Sequence, residues 1–480
     1  MTSNNSGGRG RSWLSPLIHL SNNWVSLAGV VLVTTATVLW LFLLPTTARG
    51  ETDNPYIGIL AFLVLPAPFF AGLVMIPLGM WLKRKRTGEA GVYPADFPAL
   101  AWSNPELRKL AYFIGVTTVI NVVVASQLTY GAVNYMDSVT FCGQTCHNVM
   151  QPEYTAYQNS PHARVECVKC HIGPGANWFV RSKLSGVGQV VAVTFNTYPR
   201  PIPTPVRNLR PARETCEACH WPQKYGEDRL RVISKFADDE HNTLTKTVLL
   251  MKIGGGNGGI GIHGTHLGPG VQIRYAHSDE GRQNIPWVEY DGPGGKRVYA
   301  VADAKTAGLP VREMDCMDCH NRPTHTYELP DSGLDRVMNA GLLSASLPFA
   351  KKEALELIKA NYASREDAAQ RIPAGFAKYY QKHYPDVWST RRSEITAGGE
   401  AALDVWNRNI FPAMKVAWGS YPNNLGHMDF PGCFRCHDGS HSTKGGDSIT
   451  QDCNACHSLL AVDDAAPKIL SDLGVVEAKH

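Results

Sequence analysis

Three stretches of the chain carry no charged residue and are long enough to cross a bilayer as helices: Trp24 to Leu44, Tyr56 to Leu82 and Leu110 to Val133. Pro66, Pro68 and Pro77 fall in the second stretch and predict a kink, which membrane helices tolerate when neighbours satisfy the freed backbone groups. Ser103-Asn-Pro-Glu106 has the form of a capping box and would start the third helix near Pro105. The pattern predicts a membrane anchor over residues 24–133, with helices at about 24–44, 56–82 and 105–133. A helix pair buried in a soluble core is the alternative reading.

Past residue 133 the periodicity changes. Trp178 to Thr197 reads as a helix, followed by a Pro-rich return from Tyr198 to Pro211. Alternation in Arg229-Leu-Arg-Val-Ile, Val271-Gln-Ile-Arg-Tyr and Ile285-Pro-Trp-Val-Glu-Tyr predicts a small antiparallel β insertion over 229–312, with a turn at Asp291-Gly-Pro-Gly-Gly before Arg297-Val-Tyr-Ala-Val. From Asp331 to about Lys415 apolar residues recur at spacings of three and four, as in a helical spacer. Little other regular sheet is expected. The Gly-rich Gly254 to Gly264 lacks a following Lys-Ser/Thr and reads as a loop, not a nucleotide site.

Charge sets the orientation. Arg9 and Arg11 lie in the first 23 residues without an acid, and the 83–109 linker, which begins Lys83-Arg-Lys-Arg86, has six basic against three acidic residues. Positive-inside then keeps the N-terminus and this linker in the cytoplasm and exports everything after about Asn134. The expected location is the bacterial inner membrane, multi-pass, with a periplasmic C-terminal part. No small-residue cleavage site closely follows the first run, so it reads as an uncleaved anchor. A formal charge of +4 over 480 residues is too small to suggest nucleic acid as a partner.

The cysteines bring in the chemistry. All twelve fall into pairs: Cys142/Cys146, Cys167/Cys170, Cys216/Cys219, Cys316/Cys319, Cys433/Cys436 and Cys453/Cys456. Each pair is followed directly by a histidine: His147, His171, His220, His320, His437 and His457. Disulfides or zinc knuckles would need no histidine there, whereas C-x-x-C-H is the attachment site of a c-type haem. Two thiols add across the porphyrin vinyls while the adjacent imidazole reaches the iron. The first site, Cys142-Gly-Gln-Thr-Cys146-His147, has one extra spacer residue. Six covalently attached haems are therefore expected.

Six irons want distal ligands, and besides His480 nine histidines of the exported part lie outside the motifs. His162, His325, His427 and His441 are favoured because each lies near a motif, and His263 and His266 because a Gly-rich backbone can approach a ring. His241, His277 and His383 read as bystanders. Met150, three residues after His147, could supply a thioether that raises the first haem's potential.

These features resemble the membrane-anchored NapC/NirT multihaem quinol dehydrogenases: a membrane helix, a first motif with Met150 just after it, a second motif preceded by His162, and a lysine-bearing helix beyond. The core resemblance covers roughly residues 110–225, and the three-helix front and larger motif count are more similar to the longer ImcH-like subgroup. It implies a quinol docking at the membrane edge of the first haem, bound by a lysine and an acid. By position Lys183 is that lysine, but Gln189 stands where the acid would be, and Asp137 and Glu153, flanking the first motif, are substitutes.

The expected fold is a membrane-anchored multihaem cytochrome c: three N-terminal transmembrane helices plus a mainly α and irregular periplasmic haem domain with a small β insertion. Its divisions are a cytoplasmic terminus (1–23), the anchor (24–133), a NapC/NirT-like region with three motifs (134–228), the β insertion (229–312), the fourth motif with the helical spacer (313–425) and a two-motif end (426–480). The expected function is oxidation of menaquinol or ubiquinol, with single electrons passed to a periplasmic cytochrome or terminal reductase. Homo- or hetero-oligomers are compatible with this. The alternatives are a passive electron-transfer or anchor subunit without a quinol site, and a haem reductase of a small oxyanion, which the plentiful histidines weigh against.

Overall fold

The computed structural model describes residues 20–37 apart from 22, 27 and 35, residues 65–90, scattered positions from 112 to 130, and residues 130–475 apart from 146, 174–175, 207–208, 221–225 and 255–260; the side chains of 147, 148 and 176–184 are also outside the description. The chain forms two units, Met1–Thr145 and Cys146–His480.

In the first unit one described helix is long and apolar enough to cross a membrane: α1, Pro66–Glu89. It begins at Pro66, where proline's fixed φ and missing N–H suit a first turn, and runs past the predicted end at Leu82 through Lys83-Arg-Lys-Arg86. Shorter helical stretches lie within 20–37 and at 130–137. The capping box at 103–106 and residues 56–64 fall outside the described residues. Small residues bring the first stretch against α1. A Cβ on Gly29 would lie 2.7 Å from the Gly72 carbonyl, and one on Gly72 would lie 2.7 Å from that of Gly29. Such close backbone approach is how helices associate in lipid, where no hydrophobic drive exists between them. Ser26 Oγ donates to the Ile76 carbonyl at 2.9 Å, beside the break that Pro77 makes in the ladder.

The second unit begins with α2, His147–Gln158, and α3, Ala176–Thr194, which matches the helix predicted over 178–197. Then come two antiparallel sheets, more sheet than the sequence suggested. The first has the order β1-β2-β8, with β1 Arg229–Phe236, β2 Leu244–Met251 and β8 His457–Asp464. The second has the order β6-β3-β4-β5-β7, with β3 Gln272–Ala276, β4 Trp287–Asp291, β5 Arg297–Val301, β6 Val311–Glu313 and β7 His441–Ser442. Each sheet takes a strand from the last 40 residues, so the β region is not a self-contained insertion, nor the end of the chain a separate piece. Tyr275 and Val288, paired on β3 and β4, are buried inside the second sheet.

Four longer helices follow, with the short helix Pro385–Thr390 between the last two: α4 Pro330–Asn339, α5 Ala350–Lys359, α6 Arg365–His383 and α7 Arg392–Asn409. They are the expected spacer, and their apolar stripes close on one core of Leu334, Val337, Ile358, Phe376, Tyr380 and Trp406. Gly398 and Gly399 on α7 let Phe376 and Pro373 of α6 approach to 2.9 and 3.0 Å of where a Cβ would stand. Lys351 is buried and holds this bundle to the first sheet, donating to the Phe236 carbonyl at 2.6 Å and to Asp335 at 2.7 Å. Asn242, in the β1–β2 turn at a positive φ of 47°, reaches the Ala345 and Leu347 carbonyls and the Lys351 N–H.

Candidate haem-binding centres

Each described motif makes about one helical turn, which puts two cysteines three residues apart on one side and turns the next residue after them. Cys167–His171, Cys316–Cys319 and Cys453–Cys456 are short α-helices, and Gly432–Arg435 is a 3₁₀ turn. Asp315 and Asp452 cap the fourth and sixth, accepting from Met317 N and Asn454 N. The longer first motif enters through a π-helical turn, Phe141–Thr145, whose wider ring absorbs the extra spacer residue. Cys146 and the His147 side chain fall outside the described residues. All eleven described cysteines are free of disulfides.

Five motif histidines each face a second imidazole across a short gap. Ring centroids are 6.2 Å apart for His171 and His325, 5.8 Å for His220 and His162, 6.3 Å for His320 and His263, 5.9 Å for His437 and His266, and 6.2 Å for His457 and His427. A metal–imidazole bond of about 2 Å on each side puts the centroids of two axial rings roughly 6 Å apart. The spacing fits one iron between each pair. Among the described residues no three His, Cys, Asp or Glu side chains gather as a zinc site would require.

The rings are held in the orientation that ligation needs. His162 Nδ1 lies 3.2 Å from the Pro323 carbonyl, His266 Nδ1 2.7 Å from that of Ile262, and His437 Nδ1 2.7 Å from that of Thr450. A backbone acceptor at Nδ1 fixes the tautomer and leaves Nε2 to bind metal. Burial, with the His325 ring next, pushes His171 down to about 4; burial also lowers His263, His266, His320 and His457. Each shift favours the neutral imidazole, the form that ligates.

Consecutive motifs are neighbours. The Cys216 thiol lies near that of Cys316, and Cys170 lies near Cys219. Cys319 neighbours Cys433, and Cys433 neighbours Cys456. The second to sixth motifs therefore form a series in sequence order. Side chains weld its fourth and fifth members: buried Asp318 accepts from Tyr275 OH at 2.5 Å and faces Arg282 and Arg312, while Arg435 bonds the Asp318 carbonyl at 2.5 Å. The sixth is pinned to the first sheet, since His457 opens β8 opposite Met251 and Lys252 N bonds the Cys456 carbonyl at 2.8 Å.

Other predicted residues stand as follows. His441 is set apart from the motifs: it is 1 % exposed, with Nε2 2.6 Å from the Ile285 carbonyl and Nδ1 3.1 Å from Asp438, so neither nitrogen is left for a metal. His263 and His266 lie on a helix, Ile262–Leu267, where a loop was expected. Met150 is half-buried on α2, one turn past position 147 and on the same helix face. Gln189 is exposed on α3 and reaches Ser185 at 3.4 Å; the Lys183 side chain is outside the description. Asp137 ends the helical stretch at 130–137 in the first unit. Glu153 turns away from the role of a solvated acid, lying 3.5 Å from Arg322 and 3.1 Å from His325. Sequence reasoning missed Arg322, which stacks on Tyr421 at 4.0 Å and carries a buried Nη2 with no protein partner. The buried Tyr327 hydroxyl also lacks one, and a haem propionate is an acceptor of the kind such donors take.

Known proteins share these features. The family described as NapC/NirT cytochrome c family, N-terminal region, matches residues 104–201. The cytochrome c-type protein ImcH of Geobacter sulfurreducens is 40 % identical over 445 residues, 91 % of this chain and 88 % of that protein. No solved structure matches. With its motifs, its apolar helix and this likeness over nearly the whole length, the chain belongs to the NapC/NirT-type, ImcH-like cytochromes: a membrane-anchored electron-transfer protein with covalently attached c-type haem.

Proposed function

We propose that the chain is an inner-membrane quinol dehydrogenase that crosses the membrane three times, with its N-terminus cytoplasmic and its haem part periplasmic. Six c-type haems, when bound, supply one-electron redox chemistry and split the two electrons of menaquinol or ubiquinol into single steps toward a periplasmic cytochrome or terminal reductase. The observation that carries the reading is the series of five facing imidazole pairs whose motifs neighbour one another in sequence order. In each pair the motif histidine and its partner would hold one iron between them, and in three of the pairs an Nδ1 contact of His325, His162, His266 or His437 holds a ring in place. At the first site His147 would be the motif ligand, and Met150, one turn further along α2, would supply a thioether that raises that haem's potential. Lys183 binds the quinol, and Asp137 is the acid that takes its protons in place of Gln189.

The test is quinol-driven haem reduction by the purified protein. Lys183→Ala is expected to slow it roughly tenfold or more while leaving reduction by dithionite intact. An unchanged rate overturns the assignment. The second reading, an electron-transfer subunit with no quinol site of its own, draws on Gln189 at the acid's position and on Glu153 being engaged elsewhere. Dithionite-reducible protein that ignores a quinol analogue would favour it.

A further inference from the structure

Glu153 has a place that neither the sequence nor the family resemblance gives it. His325 Nδ1 lies 3.0 Å from the Glu153 carbonyl oxygen and 3.1 Å from its carboxylate Oε2. The carboxylate is mostly buried, with 15 % of the side chain exposed, and the Arg322 guanidinium stands 3.5 Å beyond it. Arg322, itself 5 % exposed at the side chain, is clamped by the His325 carbonyl at 3.1 Å and the Tyr421 ring at 4.0 Å. Imidazole and guanidinium meet the same carboxylate oxygen, Oε2.

The other paired imidazoles with a described Nδ1 contact differ. His162, His266 and His437 meet a neutral backbone carbonyl. A carboxylate at Nδ1 draws the ring's proton toward itself, makes Nε2 more electron-donating and favours the ferric state of a bound iron. A buried cation behind the carboxylate works against this. The pair is thus a balanced charge at one site, where the described Nδ1 contacts of His162, His266 and His437 are to neutral carbonyls.

We propose that Glu153 is a positioning residue for the second motif's haem: it orients His325 and its charge lowers that site's potential below its neighbours', while Arg322 limits the drop. The proposal rests on the reading that His171 and His325 share one iron. The loop behind His325 extends its reach. Pro323, whose carbonyl anchors His162, and Asn321, bonded to the Pro422 carbonyl, flank Arg322 just past His320. One short segment therefore fixes distal rings for the second and third sites and leaves directly from the fourth.

The test is an equilibrium redox titration of the full-length protein in detergent, followed by visible spectra, with EPR for spin state. In Glu153→Gln, which keeps an acceptor without charge, one component should move up by about tenfold or more in its oxidised-to-reduced ratio at fixed potential, ~59 mV for one electron. All irons should remain low-spin. Arg322→Gln should move the same component down, and Glu153→Asp should fall between Glu153→Gln and the parent, deciding the matter if Arg322→Gln does not load haem. No movement, movement of both variants in one direction, or high-spin iron in Glu153→Gln overturns the proposal. His325→Ala tests the underlying ligation separately: one high-spin haem sustains it, and an unchanged low-spin spectrum removes it.

Discussion

His263 and His266 sit one turn apart on the same short helix yet face different motif histidines, His320 at 6.3 Å and His437 at 5.9 Å. Six residues of backbone thus serve two neighbouring sites. The Gly-rich approach matters here: a Cβ on Gly261, at φ 97°, would meet the Lys252 carbonyl at 2.7 Å. His266→Ala is expected to convert one haem to high-spin iron, and His263→Ala a different one. Magnetic circular dichroism or EPR on each variant reads this, and the double variant should add the two changes. His441→Ala, at a histidine with both nitrogens engaged, should leave the low-spin population intact.

The buried Lys351–Asp335 contact should dominate the joint between the helical bundle and the first sheet. Lys351→Met leaves a buried carboxylate and the Phe236 carbonyl without their cation, a change that costs about 3–5 kcal/mol. Lys359→Met breaks a half-exposed pair with Asp331 and should cost less than about 1 kcal/mol. Chemical denaturation followed by far-UV circular dichroism separates them.

The motifs and the long helices were legible because their signals are local: a thiol spacing, a run without charge, a stripe at three and four. Pairing of the distal histidines was not, because a ligand on the far side of a ring cannot come from residues tied to the near side. His162 lies five residues before Cys167 and His427 six before Cys433, yet they face His220 and His457. His441 misled for the same reason, its nearness to the fifth motif being an effect of chain continuity. β2 was hidden because Leu244-Thr-Lys-Thr-Val-Leu-Leu-Met has no strict alternation, and β8 because it starts on a motif histidine.

Glu289 gives a pH signature away from the haem sites. The Lys296 ammonium, together with the Arg274 guanidinium, holds its carboxyl below the usual range against the opposing effect of burial. A depressed value in the folded state means the stabilisation is complete above the unfolded value, about 4.3, and is lost as pH falls through the folded one. Thermal melts across the acid range should therefore show a slope that Glu289→Gln flattens.

Gly72→Leu should loosen the anchor without touching the exported part. Its side chain would collide with the Gly29 carbonyl and with Val33 Cγ2, which a Cβ at this position would approach to 2.8 Å, whereas Gly88 has nothing within 4 Å. Lower thermal stability in detergent with an unchanged haem spectrum is the expected result, and Gly88→Leu serves as the control.

The crossing of partners has a mechanical consequence. His171 reaches forward to His325 and His266 to His437, so long spans of polypeptide are cinched at both ends, the first overlapping the span from His162 to His220. A lace drawn through overlapping eyelets does not slacken at one hole alone. Maturation should accordingly fail in blocks rather than site by site, and a protease should find the region between residues 171 and 325 either wholly closed or wholly open.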